Sequence, residues 1–171
     1  MAKPTAPRAV LTTLGLFGAL LVILSACGTE VPTVTPPPFQ LPPPRAGAPA
    51  CPTVEGQREF VAGLARNGLV VTAISSSTGQ ALFANARSVC LMDVGSVAFE
   101  VAFFADVVSA LGVHICEVPH GDRRLYRVEG QDVDAARPIY WSIAGNVVVW
   151  TSSLELDRSL TQALGGSRPR C

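Results

Sequence analysis

Lysine is almost absent from this chain. The single one, Lys3, lies near the start, so nothing downstream can supply a P-loop lysine, a Schiff-base lysine or a Ser-Lys dyad. Histidine is nearly as scarce: any His-based triad must use His114 or His120, and no Gly-x-Ser-x-Gly motif accompanies them. Charged residues make up 15 % of the chain, with 13 basic against 13 acidic. No basic surface for neutralising phosphates follows from that balance, and nucleic acid is excluded as a partner. The closely spaced carboxylates Asp132/Asp134 and Glu155/Asp157 lie in polar stretches and read as solvated side chains, not as a hydrolytic pair. These absences point away from an enzyme, and no cofactor is implied.

What the chain does have begins at its start. Lys3 and Arg8 form a positive end, followed by Ala9 to Leu24, an uncharged apolar stretch of 16 residues. That is short of the roughly 20 needed to span a bilayer, and it has the layout of an export signal. It ends in Leu24-Ser25-Ala26-Cys27, which resembles a bacterial lipobox, where a leader is cut and the new N-terminal cysteine is acylated. The resemblance implies a signal peptide at 1–26, lipidation at Cys27 and a mature chain of 171 − 26 = 145 residues. Its expected place is the cell envelope, lipid-anchored to a membrane outside the cytoplasm. The membrane is one expected partner and an envelope protein another. From Cys27 onward, 11 arginines against 13 acids give a net charge near −2.

Setting Cys27 aside for the lipid leaves Cys51, Cys90, Cys116 and Cys171. An even set in an exported domain reads as two disulfides, with three possible pairings. The expected arrangement is Cys90–Cys116 with Cys51–Cys171, the latter tying the domain's two ends together. Between anchor and domain, residues 28–50 include eight prolines in 23 positions. Proline fixes φ and removes a donor, so this segment is expected to form an extended spacer reaching roughly 70 Å at about 3.1 Å per residue. The expected domain is 51–171.

Periodicity predicts the order α-β-β-β-α-(β)-β-β-α, an α+β fold with a mainly antiparallel sheet of about five strands covered by helices. A first helix capped by Thr53 should carry Phe60, Val61 and Leu64 on one face and end at Gly68. Strands follow at 69–75, 87–93 and 96–103, the last alternating cleanly through Val97, Phe99, Val101 and Phe103, so that one sheet face is buried. A short helix at 105–111 should turn Val107, Val108 and Leu111 inward. Residues 114–137 read as a long connection with one short strand at 125–128. A hairpin about Ala144-Gly145 and a final helix striped by Leu156, Leu160, Ala163 and Leu164 complete the domain, with Ser152 and Glu155 as a capping box.

Phe60, Leu64 and Gly68, then Gly95, Val97, Phe99 and Glu100, then Asn146 to Val149 and Leu164-Gly165, resemble a pattern in small bacterial secreted proteins and lipoproteins. The resemblance covers most of residues 55–166 and implies an α+β fold without implying an activity. Two local groupings offer chemistry. His114, Cys116 and His120 are first-row metal ligands at short spacing, giving a metal-binding or sensor alternative. Tyr140 and Trp141, with Arg124 and Arg127, are expected to form a recognition surface on the sheet.

Overall fold

In the computed structural model the described residues are 39–120, 123–169 and 171. The leader, Cys27 and residues 28–38 of the expected spacer lie outside them. The elements run α1 (Gln57–Arg66), β1 (Val71–Ser76), a 3-10 turn (Thr78–Leu82), β2 (Ser88–Val94), β3 (Val97–Phe103), α2 (Val107–Leu111), β4 (Ile115–His120), β5 (Arg123–Val128), β6 (Gln131–Ala135), β7 (Tyr140–Ala144), β8 (Val147–Thr151) and α3 (Leu154–Leu164). A five-stranded antiparallel sheet has the order β1-β2-β3-β8-β7, and β4-β5-β6 form a separate three-stranded meander. The fold is α+β.

Alternation along each strand builds two cores rather than one. Met92, Phe99, Val101, Phe103 and Val149 face one way and are covered by Val61 and Leu64 of α1 and Leu156 and Leu160 of α3. Val89, Ala102, Trp141, Ile143, Val148 and Trp150 face the other way. There they meet Phe83 after the 3-10 turn, Ala110 of α2, and Ile115, Tyr126 and Val128 of the meander. The molecule is thus three layers: helices, large sheet, small sheet. The expectation of a single buried face is corrected, and the apolar run Val147–Trp150 has its reason: β8 lies between two cores, and all its residues are buried.

The small sheet is the main departure from the sequence reading, which expects one strand in 114–137 where the structure has three. Each shows the core a thin apolar face. Ile115, Tyr126, Val128, Val133 and Ala135 pack inward, while Arg127 and Asp132 pair on the outside. Helix starts also shift. α1 begins after Gly56, whose φ of 81° lies in the left-handed region, instead of at Thr53, and α3 is capped by Ser153, whose hydroxyl accepts from the Leu156 N–H at 3.2 Å. In α2, Ala110 faces the core, whereas Val107, Val108 and Leu111 are exposed, Val108 to 80 %. A five-residue helix presents one short face to the sheet, and here the smallest side chain takes it. Gly68 does end α1 as expected, with φ 81° and the Leu69 N–H donating back to the Leu64 carbonyl at 2.9 Å.

The domain takes in residues that composition assigns to the spacer. Ile74 donates its N–H to the Pro43 carbonyl at 3.1 Å, Ser76 to the Pro49 carbonyl at 2.9 Å, and Ala50 bridges Ser75. Arg45 pairs with Asp93 on β2, and Leu41 packs on the first core. A strand edge exposes unpaired donors and acceptors, and this proline-bearing segment satisfies those of β1.

The disulfides are Cys51–Cys90, with Cα atoms 5.5 Å apart, and Cys116–Cys171, at 4.7 Å. Two disulfides were expected, but the pairing Cys90–Cys116 with Cys51–Cys171 is overturned. Ala50 pairs beside β1 and β1 pairs with β2, which sets Cys51 against Cys90. Cys116 lies in the small sheet, and the tail after α3 runs past β7 to reach it.

Candidate functional site

Adjacent residues on a strand point to opposite faces, so β7 sends Tyr140 and Trp141 apart. Trp141 enters the second core. Its cross-strand partner is Trp150, and the two indoles stack with centroids 5.1 Å apart at 25°. Phe83 packs 5.1 Å from Trp150, and Tyr126 lies 6.4 Å from Trp141. Each polar handle then needs a partner. The Trp150 indole N–H donates to Glu100 at 2.6 Å, and the Ser77 hydroxyl donates to the same carboxylate. The Tyr126 hydroxyl accepts from the Ile139 N–H at 2.9 Å. Trp141 is 5 % exposed, and its indole N–H has no hydrogen-bond partner among the described residues.

Trp141 lines a cleft of 360 Å³ between β7, the meander and the C-terminal tail. Ile115, Glu117 and Tyr126 come from the meander, Ile139 and Tyr140 from the β7 side, and Arg168 and Pro169 from the tail. The tail is held at several points. Ser167 exchanges backbone hydrogen bonds with Ile143 at 2.7 and 2.8 Å. Arg168 donates to the Trp141 carbonyl at 2.8 Å and, through both terminal nitrogens, to the buried Asp157 at 2.9 and 2.6 Å. Cys171 is bonded to Cys116. Beside Asp157 the Arg168 guanidinium is raised above its ordinary value, chiefly by those hydrogen bonds, so it stays charged across the working pH range.

The four expected recognition residues are thereby divided. Tyr140 and Trp141 both line the cleft, and Arg124 reaches it through Glu117, which it pairs at 3.0 Å. Arg127 sits on the outer face of the small sheet, paired with Asp132 at 2.7 Å, and takes no part. Because Trp141 is buried, the feature is a cleft and not a flat aromatic surface. Arg168 belongs to it and is missed by sequence reasoning, Asp157 beneath it reads from sequence as solvated, and Tyr126 lies on the short strand expected at 125–128.

The metal grouping does not assemble. Cys116 is in a disulfide and has no thiolate to offer. His114 precedes β4 and His120 ends it, so their backbones lie roughly 20 Å apart along an extended strand. Among the described residues no group of three His, Cys, Asp or Glu side chains is placed to hold a metal. The carboxylate pairs fare similarly: Asp132 pairs with Arg127, and Asp157 is buried under Arg168 instead of solvated. The charges lining the cleft are already compensated, Glu117 by Arg124 and Arg168 by Asp157. What remains for a guest is the aliphatic and aromatic surface of Ile115, Ile139, Tyr140 and Pro169.

No protein-family model, curated protein or solved structure matches this chain. Function must therefore be argued from these residues alone.

Proposed function

We propose that this chain is a lipid-anchored protein of the cell envelope whose folded domain binds a ligand or partner without performing chemistry on it. The observation that carries the reading is the cysteine count. The chain has five, and the two disulfides use Cys51, Cys90, Cys116 and Cys171, which leaves Cys27 as the odd one. That residue stands where the apolar leader gives way to Ser25-Ala26, and paired cysteines suit an oxidising, exported location. A lipid at Cys27 would hold the domain near the surface. From Cys27 to Leu41, where packing on the core begins, 14 residues span at most about 50 Å fully extended. The cleft, with aromatic walls and compensated charges, suits binding. Labelled palmitate fed to cells expressing the full chain tests the anchor: the label should enter the protein and be lost in Cys27→Ser, which should also leave the membrane fraction. Equal labelling of both would sink the anchor.

A further inference from the structure

We propose that α2 is a second membrane contact, its apolar face resting in the lipid bilayer to which Cys27 ties the chain. The proposal rests on the lipid-anchored reading and adds which side of the domain meets the membrane. Val107, Val108 and Leu111 are 49, 80 and 54 % exposed. At about 100° per residue the three share an arc of roughly 100° around the helix. Ala110 fills the second core and Ser109 lines the cleft beside Phe83 and Phe104, so that arc is the face of α2 the fold leaves uncovered. The other exposed large apolar side chains among the described residues, Phe39, Val70, Val97 and Leu154, come singly from separate parts of the chain. Single ones are ordinary on a surface, whereas three on one helix face call for an occupant.

The surroundings suit lipid. Residues 107–113, Val-Val-Ser-Ala-Leu-Gly-Val, carry no charge. Hydrocarbon offers no hydrogen bonds, so backbone groups that approach it must be satisfied from within. The Ser109 N–H donates to the Asp106 carboxylate at 2.8 Å and the Ala110 N–H to the Asp106 carbonyl at 3.3 Å. Gly112 donates to the Val108 carbonyl at 2.9 Å and Val113 to the Ala110 carbonyl at 3.2 Å. Docking on lipid strips water from aliphatic side chains and leaves these four donors matched.

The size of the face and the length of the tether select a bilayer over a protein. A specific protein interface takes about 20–30 residues a side, far more than one arc of three. A bilayer asks for no matching shape, and a small face suffices where a tether keeps it close. From Cys27 to Leu41 the chain reaches at most about 50 Å. A domain of residues 41–171 has a radius of gyration of about 14 Å and is roughly 36 Å across. With α2 on the bilayer, Leu41 is therefore within reach of the anchor from any point on the domain surface. The second contact is then in effect intramolecular.

The test reconstitutes the full chain, purified from expressing cells, into vesicles of phosphatidylethanolamine and phosphatidylglycerol containing phosphatidylcholine brominated on its acyl chains. Trp141 and Trp150 are buried in the second core, so a tryptophan added at the surface reports its own surroundings. Val108→Trp changes the most exposed of the three positions, where the fold has room for it. Its emission should shift to the blue and be quenched, more by bromines near the headgroup than at the chain end, since an interfacial face sits about 5–10 Å deep. Arg158→Trp, exposed on α3 across the large sheet, should do neither. Adding Leu111→Asp to Val108→Trp should abolish the quenching. The proposal is overturned if the tryptophan at 108 is unquenched, if the one at 158 is quenched equally, or if Leu111→Asp changes nothing. A blue-shifted but unquenched signal at 108 also overturns it, because protein, such as a second copy, then covers the face. Palmitate labelling reads the anchor separately. A chain labelled at Cys27 and unquenched at 108 refutes this contact and leaves the anchor standing, whereas quenching at 108 in an unlabelled chain refutes the anchor alone.

Discussion

Arg168→Met should cost far more stability than loss of Arg124 or Arg127, although Arg168 is the most exposed of the three. Its side chain is 57 % accessible, but its partner Asp157 is 3 % accessible. In Arg124–Glu117 and Arg127–Asp132 both partners are about half exposed, at 51/53 % and 51/46 %. Exposed pairs of that kind contribute about 0–1 kcal/mol. Removing the partner of a buried charge costs about 3–5 kcal/mol, because the remaining ion has neither water nor counter-charge. After Arg168→Met, Asp157 retains the Ser142 hydroxyl at 3.5 Å, and the Trp141 carbonyl loses a donor. Water can enter where the exposed guanidinium stood, so the cost belongs at or below the lower end, about 2–3 kcal/mol. Methionine keeps the apolar stem, which separates lost charge from lost packing.

Urea unfolding at pH 7 under non-reducing conditions, followed by tryptophan fluorescence, measures this directly. The loss should appear as a lower midpoint at unchanged slope, and as a Tm drop of about 6–10 °C for a domain of this size. Arg127→Met should cost no more than about 1 kcal/mol. The double variant Arg168→Met/Asp157→Leu should recover much of the loss, since a buried pair replaced by apolar groups leaves no orphaned charge. A cost below about 1 kcal/mol for Arg168→Met, or a double variant whose loss equals the sum of the singles, would refute the assignment of Asp157 as a buried charge dependent on Arg168.

Two further outcomes follow from the fold. Cleavage after Arg and Glu without reduction should yield residues 46–55 joined to 88–100, and 101–117 joined to Cys171; recovery of 88–100 joined to 101–117 would overturn the pairing. Each bridge closes a loop, over separations of 39 and 55 residues, worth about 4 kcal/mol in a chain-entropy account. At α2, Asp106 accepts from the Ser109 backbone N–H at 2.8 Å and from its hydroxyl at 3.1 Å, and these bonds hold its carboxyl below the ordinary value, the backbone bond first. Because the folded value is the lower one, the cap's contribution is complete above about pH 4 and is lost as pH falls through the depressed value. An NMR titration of the Asp106 carboxyl should give a midpoint below 3.9, the unfolded reference, and a midpoint at or above it would contradict the cap.

The legible parts of the sequence are those where one physical demand acts alone. β3 alternates because Phe99, Val101 and Phe103 fill the first core while the second core takes only the small Ala102 from it, and Gly68 ends α1 because the chain needs a left-handed residue there. The small sheet is hidden because two demands overlap. Its strands bury one face and solvate the other, and the outer Arg127, Asp132 and Asp134 read as a charged loop when the inner Tyr126, Val128 and Val133 are few. Val107, Val108 and Leu111 mislead in the opposite sense, since three apolar residues on a helix normally mark its inner face and here Ala110 is the buried one. Of the candidate site, Tyr140 and Trp141 are visible as aromatics. Their division between faces follows from strand parity, but the burial of Trp141 depends on the small sheet covering it. Arg168 and Asp157, 11 residues apart, carry no local pattern at all, because a helix end and the tail after it must first fold back together.

The tail explains how the cleft beside β7 is formed. Both edges of the large sheet need covering. At β1 a proline-bearing segment satisfies donors through Pro43 and Pro49. At β7 the tail bonds Ile143 through Ser167, then departs, with Arg168 capping the Trp141 carbonyl by side chain instead of backbone. A side chain reaching in stands the backbone off from the strand, and the disulfide to Cys116 draws the chain across to the small sheet instead of along β7. The gap so opened is bounded by Pro169, Tyr126 and Trp141, whose buried indole N–H has no partner among the described residues. Edge protection and site formation therefore have one cause. Cys116→Ser/Cys171→Ser would leave the wall at Arg168 standing, because Ser167 still bonds Ile143 and Arg168 still bonds Asp157 and the Trp141 carbonyl.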